Sequence, residues 1–157
     1  MYTIEHPDQG MIDEVFAFLI QCDLADFGEP DTSREDLEQE WGEFDLSRDV
    51  WIARNSLGEI IGYAFVSDVS EGCHVDVYID PSRSPLGLEN ELAGLCIQRA
   101  AEKTAGRTYP AGPFMIGYAT ATHKRLQEMF ERAGFARHTY HYRMQIDLST
   151  PLEAVEW

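Results

Sequence analysis

The sequence predicts an α/β (α+β) fold: a mixed, mostly antiparallel sheet with helices on both faces. Three observations carry this. Apolar residues switch repeatedly between alternating and helical spacing along the chain. Hairpin-type connections join the strand-like runs of the first half. Two later strand-like runs are separated by strong helical patterns, which places helices on the sheet faces. The resulting order is β-α-α-β-β-β-α-β-α-β.

The first strand is "MYTIEH", broken by Pro7 and Gly10. From Met11 onward, Ile12, Val15, Phe16, Leu19 and Ile20 fall at helical spacing. After the break "DFGEPDTS", Thr32 with Glu35, or Ser33 with Asp36, reads as a capping box. The helix that follows, "REDLEQEWGEF", is polar except for Leu37 and Trp41, so it is expected at the surface or at a cleft rim. "DVWIARN" and "EIIGYAFVSDV" flank "SLG" as a hairpin. "CHVDVYIDP" is a third alternating strand, with Val75, Val77 and Ile79 on one face and His74, Asp76 and Tyr78 on the other. A helix follows with Leu88, Leu92, Leu95, Cys96 and Ala100 on one side, running to about Lys103. "GPFMIGYA" is continuously apolar, as a central strand buried on both faces would be. "HKRLQEMFERAGF" is a short helix closed by Gly134, and "ARHTYHYRMQIDL" alternates as a last strand.

The 157 residues form one domain, 1–148, with a polar tail or linker at 149–157. With 44% hydrophobic residues the composition is globular, not disordered. No apolar run reaches membrane-span length and the first residues carry no leader pattern, so the expected location is cytoplasmic. Cys22, Cys73 and Cys96, like the five histidines, show no metal-ligand spacing, and no metal site is expected. A net charge of −16 argues against nucleic acid and anionic membranes as partners. The charge is concentrated: residues 1–50 hold fifteen acids and only two bases, Arg34 and Arg48. That excess is either a solvated face or an acidic rim that draws in a cationic ligand such as an amine.

The element order, the strand end "VYIDP" that feeds a Gly-containing turn and helix, and the later "FERAGF" together resemble the GNAT superfamily of acyl-CoA-dependent N-acetyltransferases. The resemblance covers nearly the whole chain. It implies acetyl-CoA as co-substrate and a small amine as acceptor. It also implies a loop of pattern [R/Q]-x-x-G-x-[G/A] whose backbone N–H groups bind the coenzyme diphosphate. Counted from Ile79, the Arg/Gln of that pattern falls on Ser84, the first Gly on Gly87 and the second on Glu89, while Arg83 lies one position early. The resemblance therefore places coenzyme contacts at Ile79, Ser84, Leu86, Gly87, Leu88, Glu89 and Asn90. The tyrosine that often protonates the departing thiolate falls on Phe130, and an asparagine seven residues earlier falls on His123. The end "YRMQIDLSTPLEAVEW" looks like the junction of tandem GNAT proteins, which implies a second GNAT-like domain or a homodimer as partner.

The loop departs from that pattern in physically costly ways. A diphosphate binds a helix N-terminus through free N–H groups and the helix dipole. Pro85 removes one donor. Glu89 puts a carboxylate in the first helical turn, and a like-charge contact there costs on the order of 2–4 kcal/mol, roughly 30- to 1,000-fold in affinity. Read without the resemblance, the stretch is a strand-to-helix connection capped by Ser84 with Pro85 at the first helical position.

Catalysis needs a neutral amine and a route for its proton. Asp76 is the candidate base and Tyr78 a candidate acid on the same strand face, although both also fit as ordinary polar-face residues. His138, Tyr140 and Tyr142 alternate and either line a substrate pocket or form a half-exposed strand face. Two functions remain open: an N-acetyltransferase acting on a small cationic primary amine, and a non-catalytic GNAT-like module serving ligand or partner binding.

Overall fold

A computed structural model of the chain describes residues 1–110 and 112–142. Five strands form one sheet in the order β1 (Tyr2–Glu5), β2 (Val50–Asn55), β3 (Ile60–Val69), β4 (Gly72–Ile79) and β5 (Phe114–Ile116). All neighbours are antiparallel except β4 and β5, which are parallel. The helices are α1 (Ile12–Phe27), α2 (Arg34–Glu43), α3 (Leu46–Asp49), α4 (Leu88–Thr104) and α5 (Lys124–Arg132).

The alternation of β4 separates two cores. Val75, Val77 and Ile79 pack with Leu88, Leu92 and Cys96 of α4 and with Met129 of α5. On the opposite face Tyr63 and Phe65 of β3, with Tyr78 of β4 beside them, meet Val15 and Leu19 of α1 and Leu37 and Trp41 of α2. Helices therefore cover both faces, as the periodicity predicts. Ser33 caps α2 by accepting from the Asp36 N–H, which selects the second of the two possible capping boxes. The thin Leu37/Trp41 stripe is fully buried, and it leaves the acidic side of α2 facing outward.

Three expectations are corrected. A short helix, α3, follows Asp45, whose carboxylate accepts from Ser47 N–H. It carries the buried Asp49 to Arg99 and Lys103 of α4, at 2.7 and 2.9 Å. Ser84 does not cap α4. Its hydroxyl donates to the Ile61 carbonyl of β3, and the helix begins after Gly87, whose φ of 97° is open to glycine but strained for other residues. The apolar run "GPFMIGYA" forms only the three-residue β5, which lies at the sheet edge among the described residues with Phe114, Met115 and Ile116 each more than a third exposed. Continuous apolarity marks burial on both faces only where further elements cover the strand. Of the expected last strand, residues 136–142 join no ladder, and the remainder lies outside the described residues, as does the tail 149–157.

Candidate active site

His74, Asp76 and Tyr78 project from the β4 face that looks toward α2. There a cavity of about 180 Å³ is walled by Leu19, Leu37, Tyr63, Phe65 and Tyr78, and Thr32, Ser33, Asp36 and Glu40 complete its lining. The Trp41 indole N–H donates to the Tyr63 hydroxyl at 3.0 Å, which fixes the aromatic wall from behind. A second hollow, lined by Asp36, Gln39, Glu40 and Glu43, continues the acidic side of α2.

Asp76 is the hub of this face. Its Oδ2 accepts from the Tyr78 hydroxyl at 3.3 Å and lies 3.3 Å from His74 Nε2. That nitrogen is buried and makes no well-aligned hydrogen bond, so its contact with Asp76 is one of charge. Burial opposes a proton on His74, but the Asp76 and Glu40 carboxylates outweigh it and raise the imidazole pKa. Shielding from solvent, then the Asp76 charge, raises the Glu40 carboxyl. Burial first and Asp76 second push the Tyr78 hydroxyl well above its ordinary value, so it stays protonated at neutral pH. Among the described residues, no Lys or Arg pairs with Asp36, Glu40, Glu43 or Asp76.

The β4–β5 ladder ends at His74 and Ile116. Just beyond it, Phe130 of α5 packs against Gly117, where a β-carbon would sit 2.4 Å from the ring. Phe130 is therefore a packing residue wedged beside the strand, with Phe135 as its aromatic neighbour. His123, at the start of α5, is buried, and its Nε2 has no hydrogen-bond partner.

The other site residues expected from the sequence sit around the β4–α4 connection. Ile79 and Leu88 are core residues, so only their backbones face the loop. Leu86 is exposed, and Asn90 accepts from Arg132 of α5 at 3.3 Å. Asp80 accepts from Ser82 and Arg83; burial pushes its carboxyl up, but these hydrogen bonds win and hold its pKa at about 2. Arg83 also reaches Gln21 of α1, so it points away from Gly87. Glu89 is 4% exposed, and its carboxylate turns inward onto the Gly87 N–H at 3.2 Å and onto Arg125 of α5 at 2.6 Å. Arg125 escaped sequence reasoning. The one signal was a Lys-Arg pair in the first turn of α5, where the helix dipole disfavours cations, with no acid in that turn to offset it. Such a pair points to a tertiary partner.

His138, Tyr140 and Tyr142 are exposed and do not line either cavity. Instead Tyr118 bridges His74 and His141 through edge-on ring contacts of 5.2 and 5.6 Å. Among the described residues no cluster of His, Cys, Asp and Glu could hold a metal ion, and no helix is long and apolar enough to cross a membrane.

No protein-family model and no curated protein sequence matches the chain. Solved structures do. The GCN5-related N-acetyltransferase from Sphaerobacter thermophilus superposes with a TM-score of 0.71 at 21% identity, over 84% of this chain and 42% of that one. This chain thus spans less than half of the Sphaerobacter protein. A GNAT-family acetyltransferase from Staphylococcus aureus Mu50 gives 0.68 at 14% identity, over 88% and 87% of the two chains. A GNAT superfamily phosphinothricin acetyltransferase from Sinorhizobium meliloti, solved in complex with AcCoA, gives 0.63 at 15% identity, over 85% and 74%. At these identities the likeness is one of fold, and that fold is the GNAT fold.

Proposed function

We propose that the chain moves an acetyl group from acetyl-CoA to a small cationic primary amine. The observation that carries this is the pocket between α2 and β4: its aromatic walls meet Asp36 and Glu40, carboxylates without a Lys or Arg partner, and Asp76 lies close enough on β4 for its charge to raise the Glu40 carboxyl. An ammonium is stabilised by aromatic faces and by unmatched carboxylates, and the acidic side of α2 raises its local concentration. The fold and the Sinorhizobium acetyltransferase, which was solved with AcCoA, support acetyl-CoA as the donor. Acetyl-CoA supplies the acyl group already activated as a thioester.

The chain's own residues have distinct parts in this reading. Asp36 and Glu40 hold the cationic end of the amine. Asp76 takes the proton that must leave the ammonium before its nitrogen is nucleophilic. His74 and the Tyr78 hydroxyl hold the Asp76 carboxylate in place. Position 130 offers no proton to a departing thiolate, because phenylalanine has none.

The test is release of free thiol from acetyl-CoA over a panel of amines. Turnover is expected with diamines and polyamines, with KM rising as salt is added. Thiol release no faster than the uncatalysed rate for every amine would overturn the proposal and leave the non-catalytic GNAT-like module as the function.

A further inference from the structure

The α4 loop holds an anion of its own. Oε2 of Glu89 sits where the Gly87 N–H and the Arg125 guanidinium converge, at 3.2 and 2.6 Å. The same guanidinium donates to the Ser84 and Pro85 carbonyls at 3.1 and 2.9 Å, so it straps the loop as well as its carboxylate. A backbone N–H at a helix start together with a fork of arginine donors is how proteins grip phosphate oxygens. One donor is left over: Arg125 Nε is buried and has no hydrogen-bond partner. As it is placed, the Glu89 carboxylate leaves this donor unused, whereas a diphosphate brings more oxygens. The surroundings fit an anion too. In a chain of net charge −16, Arg125 and Arg132 both bond to residues of the β4–α4 connection or the first turn of α4.

We propose that Arg125 is a specificity-determining residue for the coenzyme diphosphate, and that the Glu89 carboxylate is an internal stand-in which the diphosphate must displace. This rests on the acetyl-CoA reading above and adds to it a residue outside the loop and a competitor within it. It also explains how the loop tolerates Glu89 opposite a missing glycine. The carboxylate is not turned out to solvent but is neutralised by Arg125 and buried. The exchange frees Glu89, transfers Arg125 and Gly87 N–H to phosphate oxygens, and gives Arg125 Nε its first acceptor.

The experiment is calorimetric titration of inorganic pyrophosphate, and separately of acetyl-CoA, into the whole chain and three variants. Glu89→Gln keeps the side-chain shape but removes the competing charge, and it should bind both ligands at least about 10-fold more tightly than the natural chain. Arg125→Ala should bind neither measurably, and the double variant should lose the whole gain. Equal affinity of Glu89→Gln and the natural chain, or a gain that survives Arg125→Ala, would overturn the exchange. Should Glu89→Gln fail to fold, the unaltered chain still decides. As pyrophosphate is added, the NMR signals of Arg125 Nε–H and Gly87 N–H should shift together and saturate; no shift of either overturns the proposal. The two readings fail separately. Pyrophosphate behaving as stated with no acetyl transfer leaves the exchange standing and removes the enzyme. Acetyl transfer with no gain from Glu89→Gln does the reverse.

Discussion

Two regions beside β4 treat their carboxylates in opposite ways. Toward α2, Asp36, Glu40 and Glu43 line two hollows beside aromatic walls, and Asp76, with His74 against it, lies close enough on β4 to raise the Glu40 carboxyl. At the β4–α4 connection, Asp80 is bound by Ser82 and Arg83, and Glu89 by Gly87 and Arg125. Matched carboxylates are part of the scaffold. Unmatched ones repel one another, as the raised Glu40 carboxyl shows, and are costly to keep together unless a cation arrives. The same side-chain type is therefore left without a Lys or Arg partner in one region and tied to one in the other.

The comparison breaks most sharply at Asp76. Replacing it with Asn keeps the shape but removes the base, so kcat/KM for amine acetylation should fall about 10²- to 10⁴-fold. The thermal midpoint should move little, because Asn can still accept from the Tyr78 hydroxyl and His74 can give up its proton. A loss of stability with turnover retained would assign Asp76 to the scaffold.

For matched carboxylates the outcome should invert. Asp49 lies buried between Arg99 and Lys103, and their hydrogen bonds and charges overcome burial to lower its pKa. Asp49→Ala removes the buried partner of two half-buried cations, which keep Glu102 and Asp68, and should cost about 3 kcal/mol in a urea or guanidinium titration. Asp80→Asn should cost less, about 2 kcal/mol at neutral pH. Its folded pKa of about 2 lies below the ordinary 3.8, so its contribution is complete above about pH 4 and is lost as pH falls through 2. The difference between the natural chain and Asp80→Asn should accordingly close in that window.

Most of this was legible in the sequence, for a reason that also explains what was not. Strand and helix periodicity reports which face is buried, so the β2–β3 hairpin, the faces of β4 and the stripe of α4 were readable. Asp76 and Tyr78 followed from the same alternation. Glu40 and Arg125 did not, because their meaning depends on elements far away in the chain: Glu40 faces Asp76 of β4, and Arg125 reaches back to Glu89 of α4. Sequence reading judged Glu89 as a bare charge in a phosphate loop, and only the fold supplies its partner. The exposed β5 shows the converse, since an apolar run reveals affinity for burial but not which element provides it.

The smallest effect tests the unmatched region from its outer side. The Glu40 carboxyl is raised above its ordinary 4.5, first by shielding from solvent and then by Asp76, with Asp36 and Glu43 adding to it. The folded chain therefore holds that proton more tightly than the unfolded one. The contribution is fully present below about pH 4.5 and is lost as pH rises through the raised value. Glu40→Gln removes the repulsion and should stabilise the chain at pH 7 by about 0.5 kcal/mol, the scale of solvent-screened pairs. Below about pH 4 the two proteins should unfold alike, because the natural side chain is then neutral too. The same substitution should raise KM for a diamine about 3- to 10-fold with kcat retained, since it weakens binding but leaves Asp76 in place. Paired denaturation at the two pH values, read beside steady-state kinetics, checks both. Destabilisation at pH 7 would mean that Glu40 is held by a cation, and the contrast between the two regions would then dissolve.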